Sequence, residues 1–348
     1  MRQAPRLFDD GHTGLRGKIV VLYAVLIAAN LGVWGWAIAA FGGDAVLLGT
    51  ALLAYGLGLR HAVDADHIAA IDNVTRKLMQ EGKRPLGVGF FFALGHSTVV
   101  IVAGSAIALT VGGLQSRFPG LIEAGSALGT AISAAFLLAI GALNGAVLVT
   151  IWRLLRGSVR AGDQSHHQLE VILARRGLFA RLFRRLFGLI GRSWHMYPLG
   201  LLFGLGFDTA SEIGLLGIAA SEAAKGLSVG SILVFPALFT AGMSLIDATD
   251  GVLMLGAYGW AFADPSRKLY YNLAVTGISV VVAVVVGGIE ALGLLADKLG
   301  LVGGPWEAIA AAAGEIGMLG YAIVVLFIVT WFVSLLIYRL KAPQKIGA

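Results

Sequence analysis

From Ile19 to Phe41 the chain runs without one charged residue, and comparable apolar stretches recur almost to its end. A helical run of more than 18 such residues spans a hydrocarbon layer about 30 Å thick. In that layer every backbone N–H and C=O must be satisfied within the protein, which leaves helices or closed barrels, and runs this long select helices. Charged residues make up 13% of the 348 positions, about half the ~25% of a soluble domain. The expected fold class is therefore all-α: a polytopic helical membrane protein with eight transmembrane helices, forming a single transporter domain over residues 1–348.

The eight spans are expected at about 19–41, 45–74, 86–111, 124–155, 195–220, 229–258, 269–295 and 317–338. Loop charge fits that count. Arg2, Arg6, Arg16 and Lys18 precede the first span, and Arg76, Lys77, Lys83 and Arg84 follow the second. Eight arginines between Arg156 and Arg192 follow the fourth, and Arg339, Lys341 and Lys345 follow the last. The alternate loops hold a single basic residue or none. Basic loops stay in the cytoplasm, so both termini are expected there. The same topology explains the net charge of +6, which is no nucleic-acid signal. The loop of about 156–193 is the one sizeable segment outside the spans. Within 175–192, Leu178, Phe179, Leu182, Phe183, Leu186 and Phe187 alternate with Arg181, Arg184 and Arg185. That pattern suits a basic amphipathic helix on anionic inner-leaflet lipids, or a topology signal alone. His166-His167 in this loop reads as a solvated pair.

Two short stretches echo one another. Gly56-Leu-Gly-Leu-Arg60-His61 resembles Gly204-Leu-Gly-Phe-Asp208-Thr209, 148 positions on, and Ala93-Leu-Gly95-His96-Ser97 resembles Thr240-Ala-Gly242-Met243-Ser244, 147 on. Copies three spans apart have opposite orientation, so a 3+3 inverted repeat plus two helices is expected, with a site near the midplane. Glycine fills 49 positions. That suits close helix packing in lipid, with Gly141-xxx-Gly145 and Gly200-xxx-Gly204 as candidate contacts.

Within this apolar background, Arg60-His61-Ala62-Val63-Asp64-Ala65-Asp66-His67-Ile68 places five ionisable residues in eight positions. Each Asp, Arg or Lys in a membrane costs at least about 2.5–3.5 kcal/mol, so such a group is read as functional. Further polar groups fall on three other spans: His96-Ser97-Thr98, Asp208-Thr209-Ala210-Ser211-Glu212, and Asp247-Ala248-Thr249-Asp250. At 100° per residue a regular helix puts His61, Asp64 and His67 within about 120° of arc, with Asp66 turned away. Three intramembrane histidines beside many carboxylates point to a divalent cation of borderline softness. The candidate metal residues are His61, Asp64, Asp66, His67 and His96, with Arg60, Ser97, Asp208, Glu212, Asp247 and Asp250 as a supporting polar network. Cysteine is absent and methionine numbers six, which argues against thiolate sites and a Cu(I) pathway. No His-Glu-x-x-His, Gly-x-Ser-x-Gly or Gly-x4-Gly-Lys-Ser/Thr occurs, so a metalloprotease, a serine hydrolase and an ATP-driven pump find no support and no enzymatic activity is expected. A proton-coupled carrier of an organic solute remains the alternative on composition.

At these residues the chain resembles the nickel/cobalt transporters known as NiCoT permeases. The resemblance rests on Arg60–Ile68 with its His-x4-Asp-His spacing, on Leu94–Val100, on Leu205–Glu212 and on Ala241–Asp250, in order and over essentially the whole chain. It implies single-component, high-affinity uptake of Ni²⁺ and Co²⁺ across a bacterial inner membrane, with the ions as cargo and no cofactor. It implies an essential trio of His61, Asp66 and His67, where the helical wheel favours Asp64 over Asp66. It further implies that Asn30 and Val63 set selectivity and that both ions are carried.

Overall fold

The computed structural model describes residues 10–11, 14–109, 119–158, 190–205, 210–262, 265–314, 322–323, 325–326 and 329. The expected lipid-binding helix at 175–192, His166-His167, Asp208 and most of the eighth span lie outside these residues. Among the described residues every regular element is helical: α1 Leu15–Phe41, α2 Ala45–His61, α3 Ala65–Gln80, α4 Val88–Leu109, α5 Pro119–Ser158, α6 Met196–Phe203, α7 Ala210–Ala224, α8 Val229–Ile232, α9 Val234–Phe262, α10 Pro265–Leu299 and α11 Pro305–Gly314. Four segments, Leu15–Phe41, Val88–Ala106, Val229–Trp260 and Gly277–Leu299, are long and apolar enough to cross a membrane, and α2 with α3 makes a fifth if counted together. Many of their large apolar side chains face outward, among them Val20, Ile27, Leu31, Leu253 and Val281. Outward apolar faces of this extent suit a lipid surround.

The second span departs from the expected continuous helix. It breaks after His61, and α2 and α3 meet at a bend of 49°. Gly56 and Gly58 stay helical; the break falls among the charged residues. Val63 N bonds Arg60 O at 3.1 Å and Asp64 N bonds His61 O at 2.9 Å, a tight terminating turn. Asp64 then takes extended backbone, φ −65° and ψ 147°, and starts α3 as its N-cap residue. Its side chain makes no capping hydrogen bond, so its extended backbone alone begins the helix. Asp66 in the first turn also complements the positive end of the helix. The regular-helix sorting of His61, Asp64 and His67 does not describe this geometry. Non-helical backbone is tolerated at membrane depth only where protein buries it or a cavity is lined by it, and Asp64 is 2% exposed.

Glycines set the tightest helix contacts. A Cβ on Gly58 of α2 would strike the backbone of Phe239 on α9, and one on Gly242 of α9 would crowd Tyr55 and Leu59 of α2. The same holds for Gly200 of α6 against Phe92 of α4, and for Gly95 of α4 against Tyr197 and Leu201 of α6. Between α4 and α9, Gly89 abuts Asp247, Gly251 abuts Gly89 and Gly104 abuts Pro236. These contacts tie α2, α9, α4 and α6 into one row of closely packed helices. The glycines flagged in the sequence sit at two interfaces: Gly141 and Gly145 face Val284 and Val280 of α10, and Gly204 faces His96. At one end of the row, Lys77 Nζ donates to Ile190 O at 2.7 Å and Lys83 Nζ to Gly191 O at 2.8 Å. These bonds clasp the end of α3 and the turn after it to the segment leading into α6.

Candidate metal centre

The breaks and the glycine contacts bring three imidazoles together. His61 ends α2, His67 lies in the first turn of α3, and His96 is mid-way along α4. Their ring centroids form a near-equilateral triangle with sides of 4.7, 4.8 and 4.9 Å. One ligand atom from each lies within 4.8 Å of the others, and all three residues are buried. Phe239 packs on His61 at 5.3 Å and Phe92 on His67 at 4.9 Å between centroids. These aromatics are walls that the motif search passed over. They are the residues whose backbones Gly58 and Gly200 approach, so the helix contacts also set the walls.

Each imidazole is oriented by a carboxylate. His61 Nδ1 stands 3.3 Å from Asp64 Oδ2. His67 Nδ1 reaches both Asp247 oxygens, at 3.1 and 3.3 Å. His96 Nε2 lies 2.9 Å from Glu212 Oε1 and 2.9 Å from His61 Nε2. Glu212 Oε1 is also 3.9 Å from His61 Nε2. The tautomers that satisfy these contacts follow directly. Asp247 accepts the Nδ1–H of His67 and Asp64 Oδ2 stands beside His61 Nδ1, which leaves the Nε2 of both rings directed away from these carboxylates. His67 Nε2 is buried without a hydrogen-bond partner. A neutral His96 shares its Nε2–H between His61 Nε2 and Glu212, and its Nδ1 is buried without a partner. The cluster thus presents His61 Nε2, His67 Nε2 and Glu212 Oε1, joined by His96 Nε2 once its proton moves to Nδ1. A buried acceptor without a donor costs about 1–3 kcal/mol, so the arrangement is maintained against stability.

The remaining candidates fall around this core. Asp64 also lies 3.5 Å from Arg60 Nη1, which donates to Ser211 Oγ on α7 at 2.7 Å. Arg60 thus pairs with Asp64 and Ser211 rather than with the carboxylates of α9. Asp66 is close enough for its charge to act on His67 and His96, and its Oδ1 is buried without a partner. Ser97 is buried with an unpartnered Oγ, and so is Ser244. Asp250 Oδ2 likewise lacks a partner. Asn30 donates to Leu26 O at 2.8 Å and Ala241 O at 3.3 Å, and accepts from Tyr55 at 3.0 Å. Val63, in the turn between α2 and α3, packs against the apolar cluster that includes Leu22, Leu26, Ala65 and Ile68. A second buried group collects around Asp72, which accepts from Tyr258 and, at 2.7 Å, from Ser279. Sequence reasoning placed Glu212 only in the supporting network and gave Ser211 no separate role. Their signal was the i,i+4 neighbourhood of Asp208, which says nothing of which helix they face.

Long apolar helices around a buried imidazole–carboxylate cluster define a multi-pass membrane protein with, at its centre, three imidazoles close enough together to hold a metal ion. The family profile described as "High-affinity nickel-transport protein" matches residues 47–337. The chain is 56% identical to the "High-affinity nickel transport protein" of Cupriavidus necator, over 94% of this chain and 93% of that one. It is 46% identical to the "Nickel transporter NicT" of Mycobacterium tuberculosis, over 92% and 89% of the two chains. It is also 45% identical to the "Cobalt transport protein NhlF" of Rhodococcus rhodochrous, over 94% and 92%. No solved structure matches. The chain belongs to the high-affinity nickel-transport family.

Proposed function

We propose that the protein imports Ni²⁺ and Co²⁺ across the bacterial inner membrane as a single-component carrier, with His61, His67, His96 and Glu212 as the ligands of the transported ion. The observation that carries this reading is the convergence of three imidazoles and one carboxylate oxygen at a buried point. Imidazole with carboxylate suits nickel and cobalt, whereas calcium or magnesium would take oxygen alone. Asp64 and Asp247 act behind His61 and His67, fixing tautomer and ring orientation. Asp66 adds negative charge close by.

Both relatives named for nickel and the one named for cobalt fit a carrier of either ion, and Asn30 and Val63 tune the balance without touching the ligand atoms. The chain crosses the membrane eight times with both termini in the cytoplasm. Spans 1–3 and 4–6 form an inverted repeat. In support, equivalent glycine contacts recur at fixed offsets: Tyr55, Gly58 and Leu59 correspond to Tyr197, Gly200 and Leu201, 142 positions on, and Gly89, Phe92, Gly95 and Gly104 correspond to Pro236, Phe239, Gly242 and Gly251, 147 on. The contacts favour 142 over the 148 suggested by the motif echo in the second span. An inward-negative potential of 100 mV supplies about 4.6 kcal/mol for a divalent ion.

His61→Ala and His67→Ala should each abolish uptake of radioactive nickel while the protein still inserts and remains monodisperse in detergent. Wild-type uptake in either variant removes that residue from the site.

A further inference from the structure

We infer that α7 is the outer gate of the site: it swings as a half-helix on the fixed row α2–α9–α4–α6, carries Glu212 onto the ligand cluster when it closes, and is latched there by Ser211 against Arg60. The inference rests on the metal reading of the site and its topology, and adds which part moves and which ligand moves with it.

Three observations lead to it. The first is how the helices are held. Backbone-close glycine contacts join α2 to α9, α4 to α6 and α4 to α9, and contacts of that kind cannot open without dismantling the row. α7 has none. Gly217 has open space where a Cβ would stand, and Gly214 reaches only the side chain of Leu57, at 3.4 Å. The apolar packing of α7 is through side chains, with Leu215 buried in a cluster that includes Ala51, Ala54 and Phe239, and its polar ties near the site include Ser211 Oγ to Arg60 Nη1 at 2.7 Å and Glu212 to His96 at 2.9 Å. Arg60 is a third exposed at its side chain, so that latch reaches the edge of the protein, whereas Ser211 and Glu212 are 0% and 1% exposed.

The second is the division of ligands. His61 and His96 sit on α2 and α4, both in the row. Glu212 sits on α7, and His67 on α3, the half-helix beyond the break in the second span. Each of these two helices therefore supplies one ligand. Moving α7 away leaves the ion on three imidazoles, open to the outside. Moving α3 away leaves it on His61, His96 and Glu212, open to the inside. The lysine clasp at Ile190 and Gly191 holds the end of α3, as the Arg60 latch holds α7.

The third is adjacency. Ser211 and Glu212 are neighbours on α7, and Arg60 and His61 are neighbours on α2. One closing movement therefore makes the latch and the ligand contact together, and it places Arg60 against Asp64, which orients His61. Ser211 is thus a positioning residue: it registers whether α7 is closed and touches no ligand atom.

The chain has no cysteine, so pairs can be introduced cleanly. Leu57→Cys with Gly214→Cys, bridged by a short bis-methanethiosulfonate, should cut nickel uptake at least tenfold, and reduction of the bridge should restore it. Purified bridged protein loaded with nickel beforehand should retain the ion. Gly104→Cys with Pro236→Cys, bridged by the same reagent within the fixed row, should leave uptake within twofold of its reduced state. Wild-type uptake through the Leu57–Gly214 bridge overturns the gate whatever ion is carried, and so does equal loss in both bridged pairs. Failure of unbridged wild-type protein to retain nickel overturns the ligand reading alone. Ser211→Ala should speed nickel loss from loaded protein several-fold and Ser211→Thr should restore slow loss; unchanged loss in Ser211→Ala overturns the latch.

Discussion

At the scale of single residues, the chemistry is decided by which nitrogen of each ring carries the proton. The Nδ1–H of His67 goes to Asp247, whose oxygens lie 3.1 and 3.3 Å away. Asp247→Ala would leave the ring free to rotate or to take the other tautomer. Losing an orienting carboxylate of this kind typically costs 10–100-fold in metal affinity, and nickel titration calorimetry of the variant should show a loss in that range with folding preserved. The proton that His96 shares with His61 and Glu212 stands where an ion would sit. Binding therefore needs His96 to carry its proton on Nδ1 instead, and a nickel taken by neutral imidazoles should release no net proton. Calorimetry in buffers of different ionisation enthalpy reads that number; release of a whole proton would contradict the neutral rings. Affinity should fall as pH is lowered and the imidazoles protonate. The histidines and most of the carboxylates were legible as candidates because charged groups in apolar sequence are costly. Their division was not. Asp64 and Asp66 are two residues apart and each has a buried oxygen without a hydrogen-bond partner, yet Asp64 stands 3.3 Å from His61 Nδ1; no local pattern distinguishes them.

At the scale of elements, the break between α2 and α3 is what admits both His61 and His67 to one centre. Sequence periodicity runs through it, since apolar residues continue on either side. The break is made by the tight turn at Val63 and Asp64 and the extended backbone of Asp64, and these depend on the partners that bury them. Val63 lies in that turn, packed against the apolar cluster that includes Leu22, Leu26, Ala65 and Ile68. Val63→Phe adds volume between the two half-helices and must shift the start of α3, and His67 with it, relative to His61. Uptake of cobalt against nickel, measured in competition, should change at least several-fold, because discrimination between two such similar ions depends on ligand geometry, which a shifted His67 alters. An unchanged ratio would remove Val63 from selectivity. Asn30 acts at longer range: its side chain ties α1 to Tyr55 on α2 and to Ala241 on α9.

At the scale of the whole molecule, stability rests on close approach of backbones in a setting where lipid removes the usual hydrophobic drive between helices. Gly95 is packed against the backbone of Tyr197 and Leu201, whereas Gly145 faces only Val280, at 3.6 Å from an added Cβ. Gly95→Leu should separate α4 from α6 and reduce folded protein to a minor fraction, because overpacking costs about 1–3 kcal/mol or more and backbone cannot yield as a side chain can. Gly145→Ala should be tolerated. Thermal unfolding in detergent followed by size-exclusion chromatography separates the two outcomes. The excess of glycine predicted close packing in general. Which glycines matter was visible only once the partner backbones were placed, because a Gly-xxx-Gly pattern names one helix and not its neighbour.

The imidazoles of the centre all precede residue 100, and the positions that the recurring contacts match to His61 and His96 carry Phe203 and Met243. Glu212 and Asp247 come from the later part: Glu212 is third from the start of α7 as His67 is of α3, and Asp247 is matched to Val100. On the inverted-repeat reading proposed above, the first copy gives the site every imidazole and the second gives Glu212 and Asp247, so neither copy is replaceable by the other.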